Sequence, residues 1–287
     1  MALQMFADRH QEFDYYWNWE MDVRFTGRYN SLFPSLSAWA EQQPAKGLWR
    51  RNTRFYMPSV HGSFENFTES TMASTADFPE ASPWIADTPK EAYNPGQTDL
   101  IALFPLFDVS HTAWPHKDYV VNFNTNIVTP RFGTVGTNMR FSRRMLRIMS
   151  HENEAGRAMM SEMWPPTIAF HHGLRTVVVH HPLFLDRDWP SDKLMSTFNG
   201  GINGRVGGSA GSVINREHHF GGSTWFWNAR LPLRLYRRWM QADRRAKPHE
   251  PEETGNNPTQ SVVQSEDCVG ALLPPMLLHP VKGDRLL

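Results

Sequence analysis

The stretch Tyr15–Gly27, YYWNWEMDVRFTG, puts four aromatic residues into five positions and then sets two acids one residue apart, Glu20 and Asp22. An aromatic run of this kind reads as a strand over 13–19. Residues two apart on extended backbone share a face, so both carboxylates point the same way. Two like charges that close disfavour each other's ionisation unless a cation lies between them. The chain must therefore bury an aromatic strand and supply positive charge at its end. A hard divalent ion such as Mg²⁺ or Mn²⁺ takes oxygen ligands and leaves positions for substrate phosphates. Arg24, two positions beyond Asp22, offers the other solution, an ordinary surface ion pair.

The remaining composition narrows the function classes. Twenty-nine basic residues balance 29 acidic ones, and the arginine clusters at 143–147 and 237–245 fall at helical spacing, which reads as solvated helix faces. No basic stripe for nucleic acid is present. The longest unbroken apolar run is LIALF, 100–104, against about 20 residues needed to cross a bilayer, so no membrane span is expected. The first residues lack the basic start and apolar stretch of a signal peptide. Cys268 is the single cysteine, so no internal disulfide can form. Asn66-Phe67-Thr68 is a glycosylation sequon, a triplet that also arises by chance.

Periodicity gives the outline. Asn30 is expected to cap a helix with Leu32, Leu36 and Trp39/Ala40 on one face, with Pro34 tolerated near its first turn. Residues 62–98 are polar and proline-broken, and read as a long surface loop. Leu100–Phe107 reads as one buried strand. A break at Gly133–Gly136 precedes a helix from Ser142 with Met145 and Ile148/Met149 on one side. Pro165-Pro166 start another helix, which stops near Gly173, and TVVVHH, 176–181, reads as a strand. This order favours an α/β layout. The glycine-dense 199–223 segment reads as a flexible loop without the context of a phosphate cradle. A helix is expected over 231–239, a disordered insert over 246–267, and a tail, GALLPPMLLHPVK, tied back into the core.

Two further residues carry chemistry. Glu162 falls at or just before a helix N-terminus, where the dipole and free N–H groups stabilise a carboxylate; it is either a general base towards a hydroxyl or an ordinary first-turn acid. The pairs His171-His172, His180-His181 and His218-His219 are expected to be structural, since neighbours on a strand point to opposite faces. His279 lies in an apolar tail where its ring must find a partner, a metal or a backbone carbonyl.

Taken in order, YYWNWEMDVRFTGRY, GLWRRNTRFYMPSVHG, FSRRMLRIM, SEMWPPTIAFHHGL, FNGGINGRVGG, REHHFGGSTWFWN and LLPPMLLHPVK resemble, over nearly the whole chain, a fungal family catalogued only as a domain of unknown function. The same order resembles, more weakly, the metal-dependent glycosyltransferases of the A-type fold. That resemblance implies an A-type mixed sheet flanked by helices with long loops. It implies Mn²⁺ or Mg²⁺ held by Glu20, Asp22 and His279, with Glu162 as the base. It also implies a nucleotide sugar as donor, a glycan or other hydroxyl as acceptor, and a place in the secretory pathway. Substrate-binding positions are expected in the same segments, at Arg24, Trp164, His172, Asn199, Gly200 and Gly201. In that fold a βαβ half of about 100 residues precedes the acid-x-acid motif; here 19 residues do. The expectation is one glycosyltransferase-like domain, 1–287, lacking most of its nucleotide-binding half, and the sheet edge so exposed is prone to pairing. The alternative is a non-catalytic carbohydrate- or protein-binding remnant that stacks ligands on Trp225, Phe226 and Trp227 beside His218-His219.

Overall fold

The computed structural model describes residues 2–74, 97–109, 112, 114–123, 131–199, 220–226, 228–241 and 273–282. Its elements, in chain order, are α1 (Ala2–Arg9), β1 (Tyr15–Asn18), β2 (Arg24–Phe25), α2 (Tyr29–Glu41), α3 (Leu48–Arg51), α4 (Pro58–His61), α5 (Phe64–Ser74), β3 (Leu100–Ala102), β4 (Leu106–Asp108) and β5 (Val120–Val121). There follow β6 (Phe132–Thr134), β7 (Met139–Ser142), α6 (Arg143–Glu154), β8 (Ala158–Met159), α7 (Trp164–His171), β9 (Thr176–Val178), α8 (Ser191–Phe198), α9 (Leu231–Trp239) and β10 (Leu277–Leu278).

A mixed four-stranded sheet in the order β1-β7-β3-β9 forms the centre. β7 runs antiparallel to both β1 and β3, and β9 runs parallel to β3. Tyr16, Phe141 and Leu100 are neighbours across three strands and join one apolar cluster with Met145, Ile168 and Phe170 of α6 and α7. Ile101 and Val177 turn to the opposite cluster, with Val23, Phe104, Phe198 and Trp225. Both faces of β3 are thus covered, which is why its run is apolar at every position and does not alternate. The chain is mixed α/β, as the order of its periodic segments requires.

Local chemistry explains the helix starts. The Ser142 hydroxyl accepts a hydrogen bond from Met145 N at 3.1 Å and caps α6, which buries Met145, Leu146, Ile148, Met149 and Glu152. Pro165 and Pro166 open α7, all eight residues of which are buried. α2 begins two residues earlier than expected: Arg28 is its N-cap, without a side-chain hydrogen bond, so Asn30 lies inside the helix and Pro34 well within it. The apolar run 100–107 is two strands, not one, because the chain turns through Leu103–Pro105 between β3 and β4.

The surface loop expected at 62–98 starts instead with α5. Ser63 Oγ accepts from Asn66 N at 3.2 Å at its start, and Phe67, fully buried, anchors it against Tyr56 and His180. Phe64 adds ring contacts with Trp39 and Tyr56, and Thr71 is buried as well, so the inward stripe is short and partly polar. The insert expected at 246–267 and the central part of the 199–223 segment lie outside the described residues. No helix among the described residues is long and apolar enough to cross a membrane.

Candidate metal centre

The site forms where three separated parts of the chain meet. β1 ends at Asn18, whose side-chain amide donates to Thr137 O at 2.6 Å and to Thr137 Oγ1 at 2.9 Å, locking the strand end onto the β6–β7 turn. Glu20 follows, and the same turn holds it. Its Oε1 accepts from Thr137 N at 2.6 Å and Thr137 Oγ1 at 3.0 Å, and its Oε2 from Asn138 Nδ2 at 2.9 Å. The Glu20 backbone N–H returns a bond to Asn138 Oδ1 at 2.8 Å. Three bonds to the carboxylate and one from the backbone give Glu20 one orientation before any ligand arrives.

The tail brings the third element. β10 pairs with β2 so that Leu277 faces Phe25 and Leu278 faces Arg24. Thr26 Oγ1 donates to Pro274 O at 2.6 Å, and Val281 N donates to Asp22 O at 2.7 Å. Leu273, Met276, Leu278 and Val281 pack with Leu231 and Leu235 of α9, so apolar burial holds the tail where it lies. His279 is thereby set against the acids. Its Nε2 lies 3.8 Å from Glu20 Oε2 and 3.7 Å from Asp22 Oδ2, and Lys282 Nζ lies 3.7 Å from the same Asp22 oxygen.

One ligand atom from each of Glu20, Asp22 and His279 lies within 4.8 Å of the others. The imidazole-to-carboxylate gaps exceed hydrogen-bond length. They suit ligands around a shared ion, since bonds of about 2.0–2.6 Å put no two ligands more than about 4–5 Å apart. Burial pulls the His279 pKa below the ordinary histidine value. Asp22 and Glu20 oppose that pull and Lys282 assists it. The ring therefore stays neutral at neutral pH, the form that ligates metals. The carbonyl partner that sequence reasoning offered for this ring is not found: Nδ1 has no partner among the described residues, and Nε2 faces the acids.

Glu162 joins the same turn from another direction. It lies in the turn before α7, and its Oε1 accepts not from a helix N–H but from Gly136 N at 2.7 Å. Glu20 and Glu162 are therefore held by adjacent backbone amides, those of Thr137 and Gly136. Burial raises the Glu162 pKa above the usual carboxylate range; the Gly136 hydrogen bond opposes the shift and the charge of Glu20 adds to it. A carboxyl group shifted by burial and by a neighbouring acid is a candidate functional position, since such shifts gather at working sites as well as in structural charge networks.

The other expected positions are placed elsewhere. Arg24 does not neutralise Asp22: its guanidinium donates to the carbonyls of Met21 and Val23 and stacks 5.7 Å from the centre of the Tyr236 ring. Trp164, the first residue of α7, is buried in the core cluster it shares with α6. His172 faces Glu152, 3.3 Å away, at the far end of α6. Asn199 spends both ends of its amide on the backbone of Phe55, at 2.8 Å each. Gly200 and Gly201 lie outside the described residues. Two of the aromatics expected to form a binding platform are buried: Trp225 and Phe226 are 0% and 1% accessible. Trp227, His218 and His219 lie outside the described residues.

Sequence reasoning missed Gly136, Thr137, Asn138 and Lys282. The first three sit in a stretch, TVGTNMRF, that reads only as a turn before a strand, and nothing in it marks a carboxylate clamp.

No curated protein and no solved structure matches the chain. A family described as a protein of unknown function, DUF3405, matches residues 1–283. With all but its last four residues so covered, the chain belongs to the DUF3405 family.

Proposed function

We propose that the protein carries out metal-assisted transfer of a sugar from a nucleotide sugar to a hydroxyl acceptor. The observation that carries the reading is that Glu20, Asp22 and His279 bring ligand atoms within 4.8 Å of one another, while Glu162 is held next to Glu20 by the neighbouring amide of one turn. A mixed sheet flanked by helices, with an acid-x-acid pair after a strand, fits the A-type transferases in part: they place that pair after a central strand, whereas β1 is at the edge of the sheet among the described residues, and fold analogy of this kind ranks hypotheses without proving them.

Glu20, Asp22 and the neutral His279 ring offer two oxygens and one nitrogen, a set that fits Mn²⁺ or Mg²⁺. Bound there, the ion supplies Lewis acidity towards a diphosphate leaving group, worth several kcal/mol. The protein's own residues do the rest. Thr137 and Asn138 fix Glu20, so the site does not reorganise when the cation binds. Glu162, deprotonated above its raised pKa, takes the proton of the acceptor hydroxyl as that oxygen attacks the anomeric carbon. Lys282 places a further positive charge beside Asp22, which favours an anionic donor.

The test is hydrolysis or transfer of UDP-sugars in the presence of Mn²⁺. Turnover that Glu162→Gln abolishes while leaving Mn²⁺ affinity intact supports the enzyme. Sugar binding without turnover in the wild type supports the remnant, and turnover that survives Glu162→Gln removes this residue as the base.

A further inference from the structure

The place of Lys282 beside the acids is set by the fold. Val281 is buried and donates its N–H to Asp22 O at 2.7 Å. The next residue is therefore carried to Asp22 by a backbone bond made to Asp22 itself. Among the described residues the Asp22 carboxylate has two ion-pair partners, Lys282 Nζ and His279 Nε2, each 3.7 Å from the same oxygen, Oδ2. Both gaps exceed hydrogen-bond length, so neither group is locked to that oxygen. Glu20 differs, since Thr137 and Asn138 hold both of its oxygens. The other cation of this segment is committed elsewhere: Arg24 donates to the carbonyls of Met21 and Val23 and lies over the Tyr236 ring.

The Asp22 oxygen that faces the His279 nitrogen is thus also the one that Lys282 faces. A divalent cation held by Glu20, Asp22 and His279 would meet the ammonium there, and two positive charges at close range repel. The ammonium is the partner free to move, because its side chain is 64% exposed and sits on a flexible four-carbon stem. Once the ion has neutralised the acids, the displaced ammonium stays beside whatever the ion binds. A diphosphate answers both charges. It offers oxygens to a hard cation and accepts charge-assisted hydrogen bonds from an ammonium.

We propose that Lys282 and the divalent cation exchange at Asp22. The ammonium is the counter-ion of Asp22 before the metal binds, gives way to it, and then pairs with the diphosphate of the nucleotide that the ion holds. The lysine thereby weakens binding of the bare cation and strengthens binding of the diphosphate. This rests on the reading of Glu20, Asp22 and His279 as a metal centre.

Calorimetric titration of the wild-type chain, Lys282→Met and Lys282→Glu tests the exchange, first with Mn²⁺ alone and then with UDP at saturating Mn²⁺. Met keeps the stem and removes the charge; Glu reverses it. The exposure of the side chain leaves both variants able to fold, which melting curves check. Lys282→Met should bind Mn²⁺ about two- to fivefold more tightly than wild type, the fold-change that matches an exposed ion pair, and Lys282→Glu more tightly still. UDP should bind both variants about tenfold more weakly, the loss that one hydrogen bond to a charged group brings. A residue that merely held the tail in place would weaken both ligands together. Unchanged or weaker Mn²⁺ binding in Lys282→Met, or unchanged UDP binding, would overturn the exchange. A wild-type chain that binds no Mn²⁺ overturns the metal centre itself, so the two failures are told apart.

Discussion

Asn138 shows how much of a site is carried by residues that never touch a ligand. It is fully buried, and its amide grips Glu20 twice, through the carboxylate and through the backbone N–H. Replacing it with Ala leaves Glu20 in place but frees its rotamer, and the loss of such outer partners typically weakens metal affinity 10–100-fold. Calorimetric titration of Asn138→Ala with Mn²⁺ should return a value in that range. Glu162 behaves oppositely. Its pKa is raised in the folded chain, so the stability it contributes is fully present at low pH, below its unfolded value, and is lost as pH rises through the folded value. Turnover follows the reverse course and appears as pH rises through the same raised value. Glu162→Gln keeps the acceptor for Gly136 N and removes the buried charge. It should melt no lower than wild type at neutral pH, and the difference should close in acid; a clear loss of thermal stability at neutral pH would contradict the account.

At the scale of the element, the β6–β7 turn is the critical piece. Gly136 adopts φ +96°, and a Cβ there would meet the Phe104 ring at 2.5 Å. Gly136→Ala should therefore cost about 1–3 kcal/mol in urea unfolding, the usual range for forcing a side chain into a disallowed backbone region. Ser142 at the start of α6 caps the helix and also donates to Asp99 at 2.7 Å. Its replacement by Ala should cost about 0.5–2 kcal/mol. These two cases mark what was legible in the chain. The Ser142 helix, the proline-led α7 and the aromatic β1 were readable because each rests on neighbours within a few positions. α5 was not, because the inward positions Phe64, Phe67 and Thr71 include a polar residue and lie in a segment otherwise polar. Nor was α1, which leaves Met5 and Phe6 exposed and buries only Gln4 and Ala7. The strand expected over 176–181 ends at Val178, since His180 turns to bond Arg51 O across the molecule.

For the whole molecule, the acids and the late histidine were nameable from spacing and order, but their meeting was not, since it depends on a β2–β10 pairing across some 250 positions. The clamp residues were invisible for the same reason: their roles exist only once β7 lies beside β1. That long closure makes a global prediction. The tail supplies one ligand and the N-terminal strand end supplies two, so cation binding should tie the ends of the chain together. Saturating Mn²⁺ at about 100 times its dissociation constant should add about 2.7 kcal/mol to unfolding, and His279→Ala should lose most of that gain.

The central claim is that Glu20, Asp22 and His279 share one divalent cation. Calorimetric titration of the wild-type chain and of Asp22→Ala with Mn²⁺ tests it most directly. The account predicts one bound ion per chain in the wild type and at least a tenfold weaker site in the variant. Equal affinity in the two proteins, or no heat of binding in either, would contradict it.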